Sequence, residues 1–306
     1  MKLKNILLLA LIAALAWFFF TKKKTDSPPP PTEDPPAAPQ TKKIPTIQTF
    51  SQKVSVTPST LPQNPIQPSS SPTTTATPQP PAPHLVEFEI IDGLAIAFGD
   101  VLLGQPDTAE VLRKGYAQPP TPQTWPSETI AYAISSDLSE PERVIEALEY
   151  FHEHTPVRFV PLSNQKEAII FEPGNEHCYS YLGRTGGHQP IVLSNKCYRN
   201  EIIHEIMHAL GFIHEQSRTD RDQYVDVLWQ NIDEKFHAQF HKAPEELMKP
   251  IRGSAFDYTS IMLYAPEAFA HPGQVSMRSK TSTPVAPQKQ GLSEHDITRI
   301  KALFKK

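Results

Sequence analysis

The sequence predicts an α+β fold, a single domain of about 190 residues in two lobes around a cleft. Three observations carry this expectation. Short apolar segments with strand character recur at Thr129–Ile134, Val157–Pro161, Ala168–Phe171, Tyr179–Leu182 and Ile191–Ser194. Between the first two, Arg143–Glu153 places Val144, Ala147, Leu148 and Phe151 on one helical face. A second helix, about Arg199–Leu210, follows the last strand and is apolar nearly all round, as a helix packed beneath a sheet must be.

Taken in chain order, residues 1–24 read as a targeting element: Lys2 and Lys4, the apolar run Ile6–Phe20, then Lys22–Lys24. Fifteen apolar residues are short for a span, though flanking lysines can snorkel. Ala14-Leu15-Ala16 suits a signal-peptidase site, whereas Trp17–Phe20 continue the apolar run as an interfacial anchor would. A signal anchor and a cleaved signal peptide both stay open, the anchor favoured. Residues 25–84 are rich in Pro, Ser and Thr and too poor in apolar residues to fold, so they read as a disordered linker. Residues 85–114 differ again: Leu85–Ile91 alternates like a strand, and Asp92-Gly93 is a turn signal. The folded domain is then 115–306.

The most informative residues are His204-Glu205-x-x-His208-x-x-Gly211-x-x-His214. Four residues apart on a helix, His204 and His208 share a face and can reach one metal ion. Gly211 permits a left-handed turn that ends the helix and swings His214 back as a third nitrogen ligand. Three neutral nitrogens leave a tetrahedral Zn2+ one open position, the arrangement of a catalytic and not a structural ion. Glu205, beside the first ligand, is placed to take a proton from bound water. A solvated helix with surface histidines does not explain the intervening Ile206, Met207, Leu210, Phe212 and Ile213, which would bury those histidines at high cost if nothing paired with them.

The flanks sharpen this. Gly211–Val225 (GFIHEQSRTDRDQYV), Phe256–Tyr264 (FDYTSIMLY), Trp125-Pro126, Thr155–Val160, Cys178–Arg184 and Leu292–Phe304 resemble the matching stretches of the astacin family of metzincin zinc endopeptidases. The resemblance spans about residues 115–304. It implies the two-lobed metzincin architecture with a mixed sheet, an active-site helix and a Met-turn, and peptide or protein substrates. Met262 would be the Met-turn residue, an apolar floor beneath the ligands. Tyr264 would stabilise the oxyanion, a role that suits a phenol beside a Lewis acid. Cys178 and Cys197 would form a disulfide, which implies an oxidising, extracytoplasmic compartment. Upstream, Phe98-Gly99-Asp100 resembles the Phe-x-Gly-Asp motif of astacin pro-segments, with Phe one place late. Asp100 would then cap the open zinc position and keep residues 85–114 as a latency segment. In that family a new N-terminus folds toward the residue matching Glu215.

The sequence departs from the family pattern at Leu263, where His is usual, and at Pro156, where a cysteine is common. Arg278 or Lys280 is a candidate for matching the acidic residue astacins often favour after the scissile bond, though a solvated basic surface is the favoured reading of the two. A net charge of −4 gives no electrostatic case for nucleic acid. A catalytically inactive, membrane-tethered binding module with the same fold is the rival reading, and intact Glu205 with all three ligands argues against it.

Overall fold

The computed structural model describes residues 85–106 and 115–305. The proposed targeting segment, the linker and residues 107–114 lie outside them. Among the described residues no helix is long and apolar enough to cross a membrane.

Strands come first. β1 (Val86–Glu87), β2 (Glu89–Ile91), β3 (Leu94–Ala97), β4 (Val101–Gly104) and β5 (Tyr116–Ala117) precede β6 (Thr129–Ile134) and helix α1 (Glu142–His154). β7 (Arg158–Pro161), β8 (Ala168–Pro173), β9 (Tyr179–Tyr181) and β10 (His188–Leu193) lead into α2 (Arg199–Leu210). β11 (Val225–Val227), β12 (Met277–Ser279) and α3 (Glu294–Leu303) complete the chain. The five expected strands and both expected helices are present, with ends shifted by no more than three residues.

The main sheet is mixed and eight-stranded, in the order β2-β3-β4-β9-β10-β8-β6-β7. β7, β6, β8 and β10 run parallel, and β9 is antiparallel to β10. Strand alternation sorts the residues: Ile169 and Phe171 of β8 join the main core with Ile130, Phe159 and Ile191, while Ala168 and Ile170 face the other way with Ala131. On the core side lie Val144, Ala147, Leu148 and Phe151 of α1, and Ile202, Ile203, Ile206 and Met207 of α2. Arg143 ties the layers by donating to the carbonyls of Ser194 (3.0 Å) and Cys197 (2.7 Å).

The N-terminal hairpin extends this sheet. β4 pairs in parallel with β9, Val101 opposite Ser180 and Leu102 opposite Tyr181. β1 pairs antiparallel with β5, Val86 opposite Ala117. Val86, Phe88, Ala95, Ala97, Phe98 and Val101 are buried within the main core, so residues 85–106 are built into the fold.

Beyond Gly211 the chain changes character. Up to Ser293 it forms 3₁₀ turns, loops and the β11–β12 ribbon around a second apolar cluster that includes Phe240, Phe256, Leu263 and Met277. Leu263, the departure from the family pattern, is buried there.

Candidate active site

Helix α2 presents His204, Glu205 and His208 and ends on Gly211, whose φ of 108° is left-handed. A Cβ there would also meet Pro250 Cγ at 3.2 Å. Trp125 Nε1 donates to the Ala209 carbonyl at 2.8 Å and pins the helix end. The turn carries His214 back, so that the Nε2 atoms of His204 and His214 stand 3.0 Å apart.

Two of the three rings are oriented from behind, and His214 Nδ1 is buried without a hydrogen-bond partner. His204 Nδ1 lies 2.9 Å from the Ile261 carbonyl and His208 Nδ1 lies 2.8 Å from that of Phe212. Those contacts put the proton on Nδ1 and leave Nε2 as a lone pair. The Asp100 carboxylate faces all three: 3.3 Å to His204, 3.0 Å to His208 and 3.3 Å to His214. Three imidazoles and a carboxylate, with ligand atoms within 4.8 Å of one another, form a donor set that fits one zinc ion. The Nε2 atoms of His204 and His214, 3.0 Å apart with the lone pair of His204 turned inward, support this, since such a pair shares a proton or a cation.

The charges respond to this crowding. Burial opposes ionisation of Asp100, but the imidazoles of His214 and His208 outweigh it and hold the carboxyl well below its usual range. Burial, then Asp100, pushes Glu205 well above the usual carboxylate range. Burial brings His208 down to about 4. Glu205 Oε2 is buried without a hydrogen-bond partner.

Tyr264 comes from the other lobe. Its ring centroid lies 5.0 Å from that of His214, and its hydroxyl donates to the Phe98 carbonyl at 3.0 Å. Met262, two residues earlier, is buried in the main core, and its carbonyl accepts from Glu215 N at 2.9 Å. Glu215 itself is fully buried, with Arg299 Nη1 at 2.6 Å, Arg218 Nη1 at 3.3 Å and Asp257 N at 3.0 Å. Glu215, toward which a new N-terminus would fold by the family resemblance, holds two guanidinium partners in the unprocessed chain. No sequence signal announces this knot, because Arg218 and Arg299 read as ordinary surface-type residues far apart.

Cys178 and Cys197 form a disulfide, S–S 2.01 Å, joining the start of β9 to the loop before α2. Arg278 and Lys280 do not serve as free cations: Asp226 pairs with both, at 3.2 and 3.4 Å. Lys289 does line a cavity of about 570 Å³ that begins at Ala265, next to Tyr264.

A His-Glu-His helix, a third His after a glycine turn and a buried methionine turn on a mixed sheet define the class of single-metal peptidases built on this motif. The family model for the Astacin peptidases matches residues 118–305, and the chain belongs to that family. It is 38% identical over 183 residues to zinc metalloproteinase nas-13 of Caenorhabditis elegans, covering 59% of this chain and 40% of that protein. It is 33% identical over 228 residues to astacin-like metalloprotease toxin 1 of Loxosceles intermedia, covering 71% of this chain and 83% of the toxin. Among solved structures it is similar to high choriolytic enzyme 1, a hatching enzyme zinc-protease of Oryzias latipes, with TM-score 0.53 and 35% identity over 60% of this chain and 93% of that one. The chain spans about half the length of the nematode relatives, 40% of nas-13 and 58% of nas-4.

Proposed function

We propose that this protein is a zinc-dependent endopeptidase, held latent by its own residues 85–114 and acting outside the cytoplasm on protein or peptide substrates. One observation carries the reading: three imidazole Nε2 atoms face a carboxylate from the N-terminal hairpin, beside a helix glutamate with a buried unpaired oxygen and a phenol ring 5.0 Å from that of His214. His204, His208 and His214 would hold the zinc. When bound, that ion supplies a Lewis acid and lowers the pKa of a water at its open position.

The remaining chemistry belongs to the chain. Glu205, kept basic by burial, takes the proton of the attacking water and returns it to the leaving amine. Tyr264, raised well above 10 by burial and then Asp100, stays protonated and donates to the developing oxyanion. It already donates to a carbonyl, that of Phe98. The edge of β9 binds extended main chain, as its pairing with β4 illustrates, so peptide recognition runs through backbone hydrogen bonds. The disulfide supports an oxidising compartment, and the N-terminal apolar run supports attachment to or export across a membrane.

Two contacts support latency: Asp100 faces the three imidazoles, where it would exclude the reacting water, and β4 fills the edge of β9. The test compares a form beginning near residue 85, its Asp100→Ala variant and a form beginning near 115, each checked for zinc by atomic absorption. The long form should hydrolyse a peptide slowly, and the other two faster. Equal rates for all three would leave Asp100 an ordinary turn residue.

A further inference from the structure

Tyr264 is not alone on its side of the cleft. Gln239 sits in the 3₁₀ segment Glu234–Phe240, is 7% exposed, and adjoins Phe240, whose ring stands edge-on to Tyr264 at 5.7 Å. A Cβ built on Gly99 would lie 2.6 Å from Gln239 Oε1 and 2.6 Å from the Tyr264 hydroxyl. Both oxygens therefore press on the same stretch of main chain, one residue from Asp100. From the opposite wall, Ser180 N donates to the Asp100 carbonyl at 3.0 Å. The peptide in the cleft is thus held between β9 on one side and Tyr264 with Gln239 on the other.

Gln239 Oε1 nevertheless accepts no hydrogen bond in this latent arrangement. Its Nε2 reaches Glu89 at 3.4 Å, which turns the oxygen toward Gly99. A buried acceptor without a donor is costly and rarely tolerated. An extended peptide brings one N–H per residue along this wall. We propose that Gln239 is a substrate-positioning residue, its Oε1 accepting a main-chain N–H of the bound peptide beside the scissile bond, opposite β9. The same contact accounts for glycine at position 99: a side chain there would collide with both oxygens, and its φ of 98° is left-handed as well.

This rests on the endopeptidase reading, and the test separates the two. The full chain is matured by limited proteolysis and assayed on a cleavable peptide and on copies N-methylated at one amide at a time near the scissile bond. N-methylation removes one N–H, so the wild type should lose roughly tenfold in kcat/KM at the amide Gln239 holds. Gln239→Leu should show roughly tenfold lower kcat/KM on the parent peptide and no further loss at that one amide, with the penalties elsewhere unchanged. Gln239→Asn, which shortens the side chain but keeps the carboxamide, should lie between the two and serves if the leucine variant fails to fold; zinc content and thermal unfolding report folding. An active wild type whose N-methyl profile is reproduced by both variants overturns the role of Gln239 alone. A zinc-loaded wild type inactive on every peptide overturns the endopeptidase reading instead.

Discussion

The stretch up to Gly211 and the stretch after it are held together by different means. Before the glycine, a mixed sheet, one amphipathic helix and one largely buried helix satisfy the backbone by ladders and bury apolar faces. After it, until α3, there is no α-helix among the described residues. Buried side-chain knots take over: Glu215 with Arg218 and Arg299, and Asp296 with Ser260 Oγ at 2.7 Å and Ile261 N at 3.0 Å. Those knots reach the proposed metal ligands, because the Ile261 carbonyl orients His204 and Glu215 follows His214 in sequence. Regular structure supplies position in the first region, and charged hydrogen bonds supply it in the second. The site lies where the two regions meet.

Catalysis gives the largest contrast. Glu205 belongs to the helical region and Tyr264 to the irregular one. Glu205→Gln should keep zinc and lose about 10²–10⁴ in kcat; Tyr264→Phe should keep zinc and lose about 10²–10³. Zinc-loaded Glu205→Gln with wild-type turnover would break the assignment of the base.

Stability separates the regions next. Arg299→Met leaves Glu215 short of one guanidinium in a buried site and should cost about 3–5 kcal/mol in urea unfolding. Ile169→Val, deep in the sheet, should cost only about 0.5–1.5 kcal/mol. Equal costs would mean that the knot matters no more than ordinary packing. The disulfide closes a 19-residue separation, and changing Cys178 and Cys197 together to Ser should cost about 3 kcal/mol on a chain-entropy account.

The smallest effect is a pH dependence in the helical region. His152 Nε2 accepts from Phe159 N at 2.8 Å, and burial, then Arg158, lowers its pKa from 6.5. The unfolded chain thus takes up this proton first, so stability is lost as pH falls below about 6.5. His152→Gln should flatten the fall in Tm between about pH 7 and pH 5. An unchanged fall would assign it to other groups.

This contrast also decides what is legible in the sequence. The parallel strands, α1 and α2 follow from period-2 and period-3.6 patterns, and the three histidines follow from helix geometry plus one glycine. Met262 and Tyr264 carry no periodic signal, and only the resemblance of the FDYTSIMLY stretch points to them. One of Glu215's partners, Arg299, is 84 residues away, and no local pattern encodes such a pairing. Gln239 escapes a sequence reading for the same reason: its meaning lies in an oxygen facing Gly99, far earlier in the chain. Arg278 and Lys280 look like free cations in the sequence because their partner, Asp226, sits across a two-stranded ribbon.

The pairing of β4 with β9 also bears on solubility. An exposed strand edge is a template for association with other chains. In the chain described here β9 has a neighbour on both sides, β4 and β10, and the outer edge is formed by the short strand β2, next to the tight turn at Asp92-Gly93. The edge of β9, on which the proposed peptide recognition depends, is thus interior to the sheet in a chain that carries residues 85–106. If those residues leave, as the proposed latency requires, the risk of edge-to-edge aggregation is confined to the period afterwards.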